Sequence, residues 1–367
     1  MPPFLLSLLS LVFAPAEATI VFAGDAMQHQ GQLDAARRTD GTYDYSTCFA
    51  DVRDYVTSAD YAVVNLETTL GATNFTGYPC FCSPDSWATA LDDAGFDMML
   101  TANNHTLDRR DKGLKRTVEV LDNMDIDHIG TYRDASARSA TLPMVRDING
   151  IKVGFLNYTY GTNGIKVTGD AVVDYIDRSL IKRDIANTRA AGAEIIVTAM
   201  HWGEEYKLLP NASQRSLADF LVAEGVDMVI GGHPHVIQPI EVRDNPSGGK
   251  SLIVWSLGNF ISNMKTRDTR GGLMVKATIA RQDGKAGFKE AEYRLVFTVP
   301  ATGKENYRLI TVDDADDYGR AGRFSADCKA FTVSAMSVFD KHNVGVTRHE
   351  AISKGRKIIH SLIKLNK

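Results

Sequence analysis

Two histidines stand two residues apart directly after a short apolar run. The run covers 226–230, and it is followed by two glycines and then by His233, Pro234 and His235. The apolar run predicts a buried strand, and the glycines indicate a tight exit from it. Side chains two residues apart in extended backbone project to the same side, so the imidazoles are expected to be neighbours. Such a pair suits a transition metal, although a pair of surface histidines in a turn fits this stretch alone equally well.

The same arrangement recurs four times along the chain: a predicted helix is followed by a short predicted strand, and polar, ligand-type side chains lie at the carboxyl end of that strand. Carboxyl ends of parallel strands meet at one edge of a sheet, so these side chains are expected to converge. Together they form a set of six candidate metal ligands: Asp25, Glu67, Asn104, His201, His233 and His235. Each one taken singly fits a polar surface loop, but the joint pattern favours a metal site.

The ligand atoms of these six residues indicate which metals could bind and which reaction they could support. Carboxylate oxygens, an amide oxygen and imidazole nitrogens suit divalent Mn, Zn or Fe. Six ligands exceed the need of one tetrahedral ion, which favours two ions that share a bridging carboxylate. A two-metal site polarises an oxyanion and activates water, and its usual reaction is phosphoester hydrolysis. The predicted cofactor is therefore one or two divalent transition-metal ions.

Helices that alternate with near-continuous apolar strands predict an α/β fold with largely parallel sheets. Strands are predicted at 20–23, 61–64, 96–100, 194–200, 226–230 and 252–255, and helices at 49–58, 84–94, 113–124, 180–191 and 213–224. Asn149-Gly150 predicts a hairpin that joins 143–148 to 151–158. Later, 272–280 and 291–299 are predicted to be antiparallel strands. We predict one domain over 19–300, followed by a helical extension over 301–367 with helices at 331–341 and 349–365.

Composition narrows the class of protein. The 367 residues are 44% hydrophobic and 23% charged, with a formal net charge of -4. This balance gives no electrostatic case for a nucleic-acid partner or an anionic membrane surface. The apolar run over 4–13 is too short to span a bilayer, and Ala16-Glu17-Ala18 has the small-x-small pattern of a signal-peptidase site. Although no Lys or Arg precedes the run, we predict a signal peptide over 1–18 and export to the periplasm or cell envelope.

Four cysteines fit an exported protein. Cys48, Cys80, Cys82 and Cys328 allow three pairings, and Cys80 and Cys82 are too close for an unstrained bond with each other. A disulfide from Cys48 to Cys80 or Cys82 is the expected pairing. A zinc site at the Cys-x-Cys pair is the less favoured alternative, because no second Cys or His pair lies near it in sequence.

Several of these stretches resemble, in the same order, the capsule-synthesis protein CapA family, which is similar to calcineurin-like metallophosphoesterases. The resemblance runs from about Ile20 to Asn263 and rests on these motifs: Gly24-Asp25, Asn65-Leu66-Glu67, Ala102–His105 with Asp108, Tyr158–Gly164, His201–Tyr206, Gly232–Val236 and Ser256–Phe260. It implies a four-layer αββα sandwich of the metallo-dependent phosphatase type, with the site between two sheets.

The resemblance also implies roles for individual residues. Asp25 and His235 would hold one metal, and the other would be held by Asn104, His201 and His233, with Glu67 bridging. His105 would assist as a general acid. Asn65 and Asn259 would contact substrate. One departure is Met27, where metallophosphoesterases have the histidine of Asp-x-His, so that, if only one ion binds, it is expected on the His233 side.

Three functions are compatible with the sequence. The first is a metal-dependent hydrolase or transferase that acts in poly-γ-glutamate capsule synthesis or export. The second is a non-catalytic component that binds the polymer, which the histidine missing at Met27 favours. The third is a general periplasmic phosphatase. The implied partners are poly-γ-glutamate or another anionic envelope polymer and other capsule synthesis proteins at the membrane.

Overall fold

A computed structural model describes residues 16–303 and 305–349. The predicted signal peptide therefore lies outside the described residues except for its last three positions, as does the predicted helix over 349–365 except for its first. Within the described chain, no helix combines the length and apolarity needed to cross a bilayer.

The strands of the described residues are β1 Glu17–Ala26, β2 Tyr61–Leu66, β3 Thr69–Leu70, β4 Cys82–Ser83, β5 Met98–Leu100, β6 Asp127–Ile129, β7 Thr131–Tyr132, β8 Met144–Ile148, β9 Ile151–Thr159, β10 Val172–Val173, β11 Ile195–His201, β12 Met228–Gly232, β13 Ile240–Asp244, β14 Lys250–Val254, β15 Asn259–Ile261, β16 Gly271–Gln282, β17 Lys285–Val299, β18 Arg308–Val312 and β19 Thr347–Arg348. The α-helices are α1 Gln30–Ala36, α2 Arg53–Val56, α3 Ser86–Asp93, α4 Arg110–Asn123, α5 Ala135–Thr141, α6 Arg178–Ala190, α7 Ala212–Ala223 and α8 Ser325–His342.

Two large sheets carry the fold. The larger has the order β18-β17-β16-β1-β2-β5-β6, with β15 paired to β1 and β19 to β17. The smaller has the order β13-β14-β12-β11-β9-β8. The strands β1, β2, β5 and β6 run parallel in the first, and β9, β11, β12 and β14 run parallel in the second. Each sheet therefore brings several strand carboxyl ends to one edge.

The two sheets pack face to face, and helices cover their outer faces. Inward side chains of both sheets form one apolar core, in which the rings of Tyr61 and Phe155 stack at 5.4 Å. The opposite face of the larger sheet packs on α2 and α3, and that of the smaller sheet packs on α6 and α7. This alternation along each strand confirms the predicted four-layer αββα sandwich.

Most predicted elements form within a few residues of their expected bounds. The hairpin between β8 and β9 turns at Asn149 and Gly150, whose φ values of 50° and 82° suit a tight two-residue turn. The predicted helix over 49–58 is wrong in length, because only Arg53–Val56 is α-helical. The amides of Val52 and Arg53 both bond to the carbonyl of Phe49, so the preceding residues wind as turns.

The chain beyond residue 300 is continuous with the sandwich. Strand β18 pairs with β17 in the larger sheet, and Phe331 and Phe339 of α8 belong to the core between the sheets. The predicted extension thus contributes a strand as well as the helix expected over 331–341, which spans Ser325–His342. At the other end, β1 begins at Glu17, just before the predicted cleavage point.

The predicted disulfide is wrong, because all four cysteines are free. Cys48 is buried in the apolar cluster with Tyr45 and Trp87, whereas Cys82 lies in β4 against the backbone of Gly71. Cys80 is exposed. Among the described residues, the groups able to hold a metal contain no cysteine, so the Cys-x-Cys zinc alternative finds no support either.

Candidate metal centre

All six predicted ligands come together at the carboxyl edge of the two sheets. Asp25 lies near the end of β1, and Glu67 directly follows β2. Asn104 follows β5, His201 is the last residue of β11, and His233 and His235 follow β12: these side chains come from five strands of two sheets. Each of the six is at most 3% exposed, so the cluster lies in the interior rather than on surface loops.

The ligand atoms form two groups. Those of Asp25, Glu67 and His201 lie within 4.8 Å of one another, and those of Glu205, His233 and His235 do the same. Glu67 is close to both groups, because its Oε1 lies 3.7 Å from His201 Nε2 and 3.8 Å from His235 Nε2. This position suits the bridging role that the resemblance implies. Asp25 is grouped here with His201, but its Oδ2 also lies 3.3 Å from His235 Nδ1, so the implied division of the ligands between two metals stays a prediction.

Asn104 faces the first group through its carbonyl oxygen. Its Oδ1 lies 2.8 Å from His201 Nε2, while its Nδ2 donates a 3.2 Å hydrogen bond to Oδ1 of Asn163. Asn163 thereby fixes which end of the amide points at the histidine. An amide oxygen held beside an imidazole nitrogen is a suitable pair of ligands for one ion.

Asn65 joins the two carboxylates instead of lining an open surface. Its Nδ2 donates to Asp25 Oδ1 at 2.8 Å and to Glu67 Oε2 at 3.3 Å. Its Oδ1 accepts a 3.2 Å hydrogen bond from Asn103, which also accepts from the amide of His105. Asn65 therefore positions the ligands, and its predicted contact with substrate stays a prediction.

Asn259 stands behind His235. Its Oδ1 lies 3.0 Å from His235 Nδ1, and its Nδ2 donates a 2.9 Å hydrogen bond to the carbonyl of Thr269. Strand β15 places it there by pairing with β1, in register with Asp25. With Nδ1 bonded, His235 presents Nε2 toward Glu67, as metal-binding histidines commonly do. The substrate contact predicted for Asn259 also stays a prediction.

The predicted general acid, His105, is paired with a carboxylate. His105 Nδ1 lies 2.8 Å from Asp108 Oδ2, which also accepts a 2.7 Å hydrogen bond from the amide of Phe81. The Phe81 ring packs edge-on against the imidazole at 4.6 Å. These contacts fix the orientation of the ring, which a role in proton transfer requires.

The backbone around the two histidines is strained or glycine-dependent. His233 and His235 have φ values of 95° and 57°, in the region that non-glycine residues rarely adopt. At Gly232, a Cβ would lie 2.9 Å from Asp25 Oδ1, so glycine is needed for the carboxylate to approach. Strain of this kind costs on the order of 1–3 kcal/mol per residue and is typical of functional sites.

Burial and mutual charge set the protonation of the centre. Burial, followed by the negative charge of Asp25, raises the pKa of Glu67 well above its usual value. Burial would also raise the pKa of Asp25, but the hydrogen bond and charge of His235 lower it below the usual range. Burial and the charge of a neighbouring histidine lower the pKa of His201 strongly and that of His233 to about 3. These two imidazoles are neutral and can coordinate a metal near neutral pH.

Two buried atoms of the centre lack hydrogen-bond partners. Glu67 Oε1 and His233 Nδ1 are both inaccessible to solvent and unpaired. Buried polar atoms are nearly always paired, since an unpaired one costs about 1–3 kcal/mol. Both atoms belong to the two ligand groups, so the residues present fit divalent metal ions, which would satisfy them.

The first strand supplies Asp25 but no histidine. Met27 is buried, and its amide bonds to the carbonyl of Ile261 at 2.9 Å. His29 is the N-cap residue of α1. Its Nδ1 accepts a 3.3 Å hydrogen bond from the amide of Asn263, and its ring packs edge-on against Phe81 at 5.2 Å. Burial lowers the pKa of His29 to about 4.

Sequence reasoning missed two features of the centre. The first is Glu205, whose position on the loop after His201, next to another glutamate, was the available signal. The second is a set of exposed tyrosines around the ligands. The Tyr160 ring lies 4.5 Å from that of His233, and the Tyr206 ring lies 6.4 Å from that of His235. These rings form part of the surface through which a ligand would approach.

The chain is similar to known capsule proteins. The family described as bacterial capsule synthesis protein PGA_cap matches residues 19–264. The capsule biosynthesis protein CapA of Bacillus anthracis is 25% identical over 285 residues, which are 73% of this chain and 65% of that protein. The PGA biosynthesis protein CapA of Bacillus subtilis strain 168 is 28% identical over 218 residues, which are 59% of this chain and 55% of that protein.

This chain therefore spans less than two thirds of the length of these two relatives. Among solved structures, a calcineurin-like phosphoesterase, YfkN from Bacillus subtilis, is similar with a TM-score of 0.44 and 11% identity, over 88% of this chain and 100% of that chain.

Proposed function

The chain belongs to the bacterial capsule synthesis protein PGA_cap family, and from this we propose that it acts in the synthesis or export of poly-γ-glutamate or a similar anionic envelope polymer. We further propose that it does so as a metal-dependent hydrolase or transferase. The observation that carries the proposal is the pair of ligand groups joined by Glu67, with unpaired atoms on Glu67 and His233.

Each part of the centre has a role in this proposal. Asp25, Glu67, Asn104 and His201 would hold one divalent ion, Mn, Zn or Fe, and the two histidines after β12 would help to hold a second. Bound ions supply Lewis-acid polarisation of a phosphoryl or carbonyl oxygen and activation of water. Asn65 and Asn259 orient the ligands through their hydrogen bonds.

His105 is the proposed general acid. It would donate a proton to the leaving oxygen of a phosphoester, or to the leaving nitrogen of a γ-amide. Asp108 holds its imidazole in one orientation through the 2.8 Å contact between Oδ2 and Nδ1. Because the pair is buried beside Phe81, the proton transfer would take place away from bulk water.

A non-catalytic polymer-binding role is the second candidate. The observation that favours it is Met27, which places a buried apolar side chain where metallophosphoesterases have a histidine. In this case the centre would bind metal and polymer without turnover. Export to the periplasm or cell envelope is proposed for both candidates and rests on the sequence over 1–18. Protein recovered from the cell envelope should then begin at Thr19, and an intact Met1 would contradict export with cleavage.

The test compares two buried histidines, each of which contacts an aspartate. Wild type, His105→Ala and Asp108→Asn are loaded with Mn²⁺, Zn²⁺ or Fe²⁺ and assayed on bis-p-nitrophenyl phosphate and on poly-γ-glutamate. His128→Ala is the control, because His128 is also buried and bonds to Asp122 at 3.0 Å, but it belongs to neither ligand group. We expect both site variants to keep their metal and to lose about 10²–10⁴-fold in kcat, and the control to keep its activity.

Other outcomes distinguish the remaining candidates. Full metal content without turnover of either substrate would contradict the enzyme proposal. Polymer binding that survives His105→Ala would then support the non-catalytic role. Turnover of the phosphodiester together with no binding of poly-γ-glutamate would instead point to a general periplasmic phosphatase.

A further inference from the structure

An exposed glutamate lies beside the two histidines that follow β12. The ligand atoms of Glu205, His233 and His235 lie within 4.8 Å of one another, although Glu205 is on the surface and both histidines are buried. An exposed acidic side chain needs no partner and is free to extend into solvent. Its position over two imidazoles therefore requires a structural cause.

The cause is a pair of backbone hydrogen bonds between two loops. Trp202 donates from its amide to the carbonyl of Gly232 at 3.2 Å, and Tyr206 donates to the carbonyl of Pro234 at 2.8 Å. These bonds stand on either side of Glu205. Gly203 and Tyr206 have φ values of 89° and 67°, which turn the loop back over the histidines. The backbone of Glu205 is thus fixed relative to both imidazoles.

The histidine side of this group is incomplete without a further ligand. His233 Nδ1 is buried and has no hydrogen-bond partner. Both histidines keep positive φ values around Pro234, a conformation that costs free energy and that places their rings 5.9 Å apart. Two imidazoles and the shared Oε1 of Glu67, 3.8 Å from His235 Nε2, leave a divalent ion one short of the four ligands that it usually takes.

We infer that Glu205 is a ligand of a second divalent cation, which it holds together with His233 and His235 at the outer end of the centre. Glu67 Oε1, 3.8 Å from His235 Nε2, lies between this cation and the inner group. Since Glu205 is exposed, the outer cation exchanges with solvent more readily than the inner one. This inference rests on the proposed metal-dependent function, because it assigns one more ligand to the same centre.

The neighbouring residue provides a matched control. Glu204 has the same charge and is also exposed, but its Oε1 accepts a 3.1 Å hydrogen bond from Asn211 and it belongs to neither ligand group. The test compares the wild type, Glu205→Gln, Glu205→Ala and Glu204→Gln. Each is dialysed against Mn²⁺, and bound metal is counted by mass spectrometry. Electron paramagnetic resonance then reports whether bound Mn²⁺ ions are coupled to each other.

We expect two Mn²⁺ per chain with a coupled spectrum in the wild type and in Glu204→Gln, since ions in such a centre lie about 3.5–4 Å apart. Glu205→Gln and Glu205→Ala should bind the second ion at least about tenfold more weakly and show the spectrum of an isolated ion. Two tightly bound, coupled ions in Glu205→Ala would overturn the inference and leave the proposed function intact. A wild type that binds no Mn²⁺, Zn²⁺ or Fe²⁺ would overturn both.

Discussion

Two replacements of Asn259 can distinguish its role in orienting His235 from its role in stabilising the fold. Asn259 uses both ends of its amide: Oδ1 lies 3.0 Å from His235 Nδ1, while Nδ2 donates to the carbonyl of Thr269 at 2.9 Å and to Met264 Sδ at 3.3 Å. Asn259→Ala removes both. Loss of the partner that orients a metal-binding histidine weakens metal binding by about 10–100-fold. At 1.4 kcal/mol for each factor of ten, this corresponds to about 1.4–2.8 kcal/mol of binding free energy.

Asn259→Asp removes only the donating end of the side chain and keeps the oxygen that contacts His235. A carboxylate oxygen can still accept from His235 Nδ1, but the donor to the carbonyl of Thr269 is lost. We therefore expect metal affinity near that of the wild type. The metal-free protein should be destabilised, because a second carboxylate is then buried beside Asp25, with His235 Nδ1 only 3.3 Å from Asp25 Oδ2.

The assay is competition for Mn²⁺ or Zn²⁺ with a chelator of known affinity, together with thermal unfolding of the metal-free proteins. The predicted pattern is weak metal binding in Asn259→Ala, near-normal binding in Asn259→Asp, and a lower Tm than wild type in both. Unchanged affinity in Asn259→Ala would refute the orienting role. Equal loss of affinity in both variants would show that metal binding depends on the Nδ2 donor to Thr269, which both variants lack, rather than on the contact with His235.

Three further predictions concern other parts of the chain. Burial lowers the pKa of His29 to about 4, below its value in the unfolded chain. The free energy of unfolding should therefore fall by up to about 3 kcal/mol as the pH drops from about 6.5 to 4. Denaturant titrations of His29→Gln should show a flatter pH dependence than wild type, and an equal slope would contradict this. Gly232→Ala places a Cβ 2.9 Å from Asp25 Oδ1 and should weaken metal binding at least about tenfold, whereas Gly287→Ala, with no atom within 4 Å of the added Cβ, should not. Thiol titration without reductant should count one reactive cysteine, Cys80, in the native protein and four after denaturation; fewer than four would indicate a disulfide.

The fold was largely predictable because its signals are local. Most of the predicted helices have an apolar face, and the buried strands are short apolar runs, so their alternation is readable from the sequence. The pairing of strands is different, because it depends on contacts between distant residues. The sequence gives no sign that β1 leaves β16 after Ala23 and pairs at its end with β15, although this switch brings Asn259 next to Asp25.

The centre was predictable where a ligand lies at the carboxyl end of a strand. Asp25, Glu67 and His201 occupy such positions, and the structure brings them together. Glu205 was missed because its location depends on two hydrogen bonds between loops, which leave no periodic pattern in the sequence. The expected disulfide of Cys48 was wrong for a related reason: spacing along a chain carries no information about distance across a core.

The central claim is that two divalent ions bind in two joined ligand groups. The most direct test is a crystal of the protein soaked in Mn²⁺ and measured at a wavelength where manganese scatters anomalously. We predict two anomalous peaks, one among Asp25, Glu67 and His201 and one among Glu205, His233 and His235. Saturating Mn²⁺ that gives no peak at either position, or a peak only elsewhere on the surface, would contradict it.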